Sequence, residues 1–132
     1  MELNDVRVDP VKVDEGVWID IPAGGRLKIA RWNNRAFLTL QSRLVDEHNQ
    51  KTNGKEISSE QGRDFLNKVV SETILLDWEG LTQDGKPLPY SKEKCYEILS
   101  DPSLMDFRDD VVLKAQLQAN YRADSLVGAE KK

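Results

Sequence analysis

The sequence has one cysteine, one histidine and no apolar run near the ~20 residues that a membrane span needs. A lone Cys95 can form no internal disulfide, and one thiol cannot build a zinc cage. His48 stands beside Asp46 and Glu47 near an expected helix end. Adjacent helical residues do not face one another, so it reads as a solvated terminus rather than a ligand. Basic excess is also missing. Nineteen Lys and Arg against twenty-three Asp and Glu leave a net charge of −4, which argues against a nucleic-acid binder. The opening MELNDVRVDP has no apolar stretch of a secretion signal. These gaps lead us to expect a reduced, cytoplasmic chain with no membrane or nucleic-acid partner and no cofactor.

What is present is one domain's worth of chain: 132 residues, 39% hydrophobic and 32% charged. We expect a single domain over 1–125 and a flexible tail over 126–132. Residues 1–15, where Val6, Val8, Val11 and Val13 alternate weakly, read as an extended arm. Residues 16–32 read as a β-hairpin: Val17, Ile19 and Ile21 alternate before Pro22-Ala23-Gly24-Gly25, and Leu27 and Ile29 alternate after it. These five would share one face. Trp18 and Trp32 fall on the opposite one, and the sequence leaves open which face is buried.

From residue 33 the period becomes helical. Asn33 or Asn34 can cap a helix with a Phe37, Leu40, Leu44 stripe that fades near His48. Ser58 and Gln61 have capping-box spacing before a second helix, with Phe65, Leu66, Val69, Val70, Thr73 and Leu76 inside and a stop near Gly80. Residues 81–89 read as a loop with an Asp84-Gly85 turn and two prolines. Ser91 caps a short helix bearing Cys95, and Asp101-Pro102 opens a last helix reaching about Asp124. The fold class is therefore mainly α with an N-terminal β-hairpin, an α+β domain of about four helices.

No converging catalytic set is visible. Cys95 sits at core spacing with Ile98 and Leu99, and the acid pairs Asp14-Glu15 and Asp109-Asp110 read as solvated or helix-dipole partners. Gly24-Gly25 lacks the spacing of a phosphate loop. We expect a non-enzymatic binding protein. Large aromatics off the aliphatic face make Trp18 and Trp32 candidate partner contacts, and Tyr121, partly off the last helix's stripe, is a third.

Three stretches in order resemble the tail assembly chaperones of lambda-like, long-tailed bacteriophages. They are Val17-Trp18-Ile19-Asp20-Ile21-Pro22, then residues 27–37 from Leu27 to Phe37, and above all Leu76-Asp77-Trp78-Glu79-Gly80-Leu81 with Asp84-Gly85-Lys86-Pro87-Leu88-Pro89-Tyr90-Ser91. Trp78 and the prolines read as architecture, a core plug with a stiff return loop. The resemblance implies a chaperone that binds the helical tape measure protein and recruits tail tube protein subunits. It also implies action in the host cytoplasm, absence from the mature virion and a homo-oligomer. A longer form made by ribosomal frameshifting is part of the same expectation. The terminal Lys131-Lys132 suits a slippery codon pair as well as it suits a plain solubilising end. The alternative is a structural virion protein, a small tail completion or connector subunit.

Overall fold

The computed structural model describes residues 1–123. The expected tail over 126–132, with its lysine pair, lies outside the described residues. So does the expected end of the last helix at Asp124.

The arm is ordered differently from the sequence expectation. A 3-10 turn, Leu3–Val6, is followed by a short helix α1, Pro10–Glu15. Asp9 caps α1 by accepting the Val11 N–H at 2.9 Å, and Pro10 takes the first helical position, where its missing N–H is harmless. The arm is pinned to the far end of the chain. Val8 bridges antiparallel to Arg122, Asp9 N–H donates to Tyr121 O at 2.8 Å, and Ala123 N–H donates to Arg7 O at 3.0 Å.

The hairpin forms as its alternation dictates, from β1, Val17–Asp20, and β2, Arg26–Ile29. Val17 lies opposite Ile29 and Ile19 opposite Leu27. Leu27 and Ile29 are wholly buried, so the aliphatic face is the inner one. The outer face carries Trp18, Lys28 and Arg26, with the Arg26 guanidinium 4.2 Å above the Trp18 ring.

Helix α2, Arg35–Thr52, is capped by Asn34, whose side chain accepts from Phe37 N–H. Helix α3, Ser59–Thr73, has the expected reciprocal capping box between Ser58 and Gln61. It stops earlier than its stripe suggested. Residues 75–79 form β3, Leu75–Glu79, antiparallel to β2, giving a three-stranded sheet in the order β1-β2-β3. A bulge opposite Lys28 and Ile29 explains the miss. Lys28 pairs with Asp77 and Ile29 with Leu75, so Leu76 is the extra residue. The Thr73 to Leu76 spacing of three mimics another helical turn, but in the sheet Leu75 and Trp78 turn inward and Leu76 is only partly buried.

The expected loop contains a small hairpin of its own, β4, Thr82–Gln83, and β5, Lys86–Pro87, turned at Asp84-Gly85. Trp78 plugs the core behind it. Its Nε1–H donates to Leu88 O at 2.7 Å, its ring meets Tyr90 edge-on at 4.8 Å, and the Tyr90 hydroxyl donates to Leu75 O. Helix α4, Lys92–Ser100, follows its Ser91 cap.

The last helix is shorter than expected. A 3-10 turn, Pro102–Leu104, leads into α5, Met105–Gln116, and a second turn, Gln118–Tyr121, replaces the end. Asn120 donates its side-chain amide to Lys114 O at 3.0 Å, folding the chain back under α5. Helices α2 to α5 pack on the inner sheet face around Phe37, Leu40, Val70, Leu75, Leu99 and Val111.

Candidate functional site

Helices α2 and α3 lie side by side, and the two surfaces along their seam differ. On one, Phe37, Gln41 and Val45 project from α2 at four-residue spacing, while Gly62, Phe65, Leu66 and Val69 project from α3. Ile57, just before the Ser58 cap, closes one end. Together they line an open groove of about 300 Å³ that contains no charged side chain. Leu38, three residues before Gln41 and 48% exposed, flanks the same helix face.

The other surface is wet. A hollow of about 480 Å³ is lined by Glu47, Lys51, Glu60, Asp64 and Lys68. There the Tyr96 hydroxyl donates to Asp64, and that bond, with Lys68 behind it, holds the carboxyl below the usual carboxylate range. A third hollow, of about 530 Å³, lies by the start of α2 with Arg35, Arg43 and Lys92 set against Asp14 and Glu72. A small apolar notch of about 190 Å³ sits between the β4–β5 hairpin and Ile98 and Phe107.

The three expected contact residues fall in three different places. Trp32 lies beyond the end of β2, so the hairpin alternation does not place it beside Trp18. Its ring is tilted against Phe37 at 4.7 Å, partly buried, where Phe37 begins the apolar groove. Trp18 stands on the outer sheet face under Arg26, and Arg26 in turn pairs with Glu79 at 2.8 Å. Tyr121 corrects the expectation: it is fully buried, and its hydroxyl donates to Ile29 O at 3.0 Å. Because the chain turns back after Gln116, this ring enters the core rather than facing a partner.

His48 is a second correction. It is buried, not solvated, because the turn after Thr52 folds over it. Its Nε2 lies 2.9 Å from Lys55 O, and its ring meets Phe65 edge-on. Cys95 is buried as its spacing implied, with its sulfur 3.9 Å from Leu75 O, and burial pushes the thiol up to about 12. Among the described residues no hydrogen bond joins it to His48. No cluster of three or more His, Cys, Asp or Glu that could hold a metal is found among them either. Asp109 and Asp110 pair with Arg108 and Lys114.

Gly62 escaped the sequence reading. The available signal was a glycine inside an otherwise regular helical stripe, where alanine would be more favourable.

The described residues thus form an α+β domain with an open apolar groove between α2 and α3. Its origin is more specific: residues 32–132 match the YdaY prophage protein family, and the chain belongs to that family. It is thus a phage-derived protein. No curated protein matches it, and no solved structure matches it. No described helix is long and apolar enough to cross a membrane.

Proposed function

We propose that this prophage protein is a non-enzymatic tail assembly chaperone that binds the tape measure protein and recruits tail tube subunits. The observation that carries the reading is the uncharged groove between α2 and α3. A tape measure exposes long apolar helical stripes until the tube encloses them, and exposed stripes aggregate unless covered. A groove walled by two helices takes such a stripe in the helix-in-groove manner, with anchors every three or four residues. Trp32, against Phe37, extends the contact beyond the groove end. The chaperone works in the host cytoplasm, self-associates along the repeated stripe, associates with a frameshifted longer form and is absent from the finished virion.

Co-expression with the tape measure protein of the same prophage tests this. The expected result is a tape measure protein that stays soluble and co-purifies with the chain, while purified particles contain none of its peptides. A tape measure protein that remains insoluble, together with stoichiometric chain in particles, would overturn the reading in favour of a tail completion or connector subunit.

A further inference from the structure

The two edges of the three-stranded sheet are finished differently. Ile21 N–H donates to Gly25 O at 2.9 Å, so these residues form a bonded pair. Bonded pairs alternate along an antiparallel ladder, which makes Ile19–Leu27 and Val17–Ile29 bonded as well. The N–H and C=O groups of Trp18 and Asp20 therefore point away from β2, along the free edge of β1. Among the described residues nothing hydrogen-bonds to them, and β1 packs chiefly on β2. At the opposite edge the same alternation turns Trp78 N–H outward from β3. There the Asp77 carboxylate accepts it at 2.8 Å, and the Tyr90 hydroxyl donates to Leu75 O. One edge is closed by side chains; the other is open.

Open main-chain groups of this kind are met by an extended chain. A helix has already spent its own N–H and C=O groups internally. The side chains narrow the choice further. Across the outer face, charge alternates from strand to strand: Glu79 of β3 lies opposite Arg26 of β2, and Arg26 lies opposite Asp20 of β1. The Arg26–Glu79 pair closes at 2.8 Å, whereas among the described residues Asp20 forms no salt bridge. Opposite charges directly across a sheet are favourable and like charges are not, so a strand beside Asp20 should bring a cation. On the inner face Ile19 and Ile21 are only partly buried, which suits an apolar neighbour. A second copy of β1 fails this requirement. Antiparallel registers that join the open groups set Asp20 opposite the copy's own Asp20, Trp18 or Gly16, never opposite a cation.

We propose that the free edge of β1 is a docking site for an extended segment of another protein, with cationic and apolar side chains in alternation, added as a fourth strand. A Lys or Arg of that segment lies beside Asp20 on the outer face. Its apolar neighbour lies beside Ile19 on the inner face, and its main chain bonds to Trp18 and Asp20. The inference goes beyond the chaperone reading and does not depend on it.

Capped peptides that alternate valine with threonine test this on the full chain, one carrying a central lysine and one a central glutamate. A residue beside Asp20 shares its face and turns its own N–H toward β1. Two further lysine peptides are therefore N-methylated on the backbone, at the lysine or at a flanking valine. Amide exchange is followed by NMR. In the free chain the Trp18 and Asp20 amides should exchange fast and Ile19 slowly, at every chain concentration. The lysine peptide should slow Trp18 and Asp20 and bind about fivefold tighter than the glutamate peptide. Asp20→Asn should bring the two peptides level. Methylation at the lysine should abolish binding, and methylation at the valine should not. Slow Trp18 and Asp20 exchange in the free chain would overturn the inference, and slowing that grows with chain concentration would replace it with a second copy. Equal binding of the two charge types to wild type, discrimination that survives Asp20→Asn, undiminished binding of the lysine-methylated peptide, or no slowing at millimolar lysine peptide would each overturn it too.

Discussion

Tyr121 and Ile29 are ninety-two positions apart, yet the buried hydroxyl of one donates to the backbone carbonyl of the other at 3.0 Å. Ile29 belongs to the central strand and Tyr121 to the last described turn, so this bond closes the core from the far end of the chain. Removing only the hydroxyl, in Tyr121→Phe, should lower stability by about 1 kcal/mol. Tyr121→Ala should lower it by about 3–5 kcal/mol, because a large buried ring is lost. Urea unfolding of the two variants checks the order. Equal midpoints for Tyr121→Ala and wild type would contradict the burial seen here.

Alkaline pH should destabilise the fold. Burial pushes the Cys95 thiol up to about 12 from an ordinary value of 9.0, and burial raises the Tyr90 and Tyr121 hydroxyls in the same direction. A raised pKa means that the folded chain keeps a proton that the unfolded chain has released. The contribution of Cys95 is therefore whole below about pH 9 and is lost as the pH rises toward 12. The slope is about 1.4 kcal/mol per pH unit for one proton. Urea midpoints should fall between pH 8 and pH 10.5, less steeply in Cys95→Ala. In the folded state the thiol should react with a disulfide reagent only at the rate of unfolding.

Two glycines hold the strand ends together. A Cβ on Gly25 would sit 2.7 Å from the Glu79 carbonyl oxygen, and one on Gly80 would sit 2.9 Å from Gly25 Cα; both residues have positive φ. Gly25→Ala and Gly80→Ala should each destabilise by about 1–3 kcal/mol. Gly54→Ala, also at positive φ but with nothing within 4 Å, should be the mildest of the three in thermal melts.

Trp32 and Trp18 should separate in binding. Trp32→Ala removes the ring packed on Phe37, a residue that lines the groove; if the proposed chaperone function holds, it should weaken binding of the tape measure protein several-fold. Trp18→Ala should leave capture unchanged and lower stability by about 0.5–1 kcal/mol through the lost contact with Arg26. Pull-down and melting of the pair give both readings; the reverse pattern would move the interface to the outer sheet face.

The parts that were legible in the sequence are those fixed by short-range chemistry. Asn34, Ser58 and Ser91 cap where their side chains can reach the next turn, and the odd-numbered hairpin residues point inward as a period of two requires. The misses arise where distant chain decides. Leu75 and Trp78 face inward together only because a bulge adds Leu76, and that bulge is specified by pairing with β2 forty-odd positions earlier. Tyr121 looked like a surface ring because its spacing was read along a helix that ends at Gln116. His48 is buried by a turn that only its bond to Lys55 O reveals. At the groove, the apolar faces of α2 and α3 were both readable. That they stay partly uncovered was not, since it depends on Gly62 and on how far apart the helices settle.

The family match begins at Trp32, just after the central strand of the sheet. Leu27 and Ile29, wholly buried, lie before that point, and their partners Trp78 and Leu75 lie after it. In this chain the matched segment holds only one of the three strands of the sheet. Produced without residues 1–31, it would display a sticky, half-built sheet. Mixed again with residues 1–31 as a separate polypeptide, it should recover its shape by fragment complementation, the earlier piece doing between molecules what it does within the intact chain.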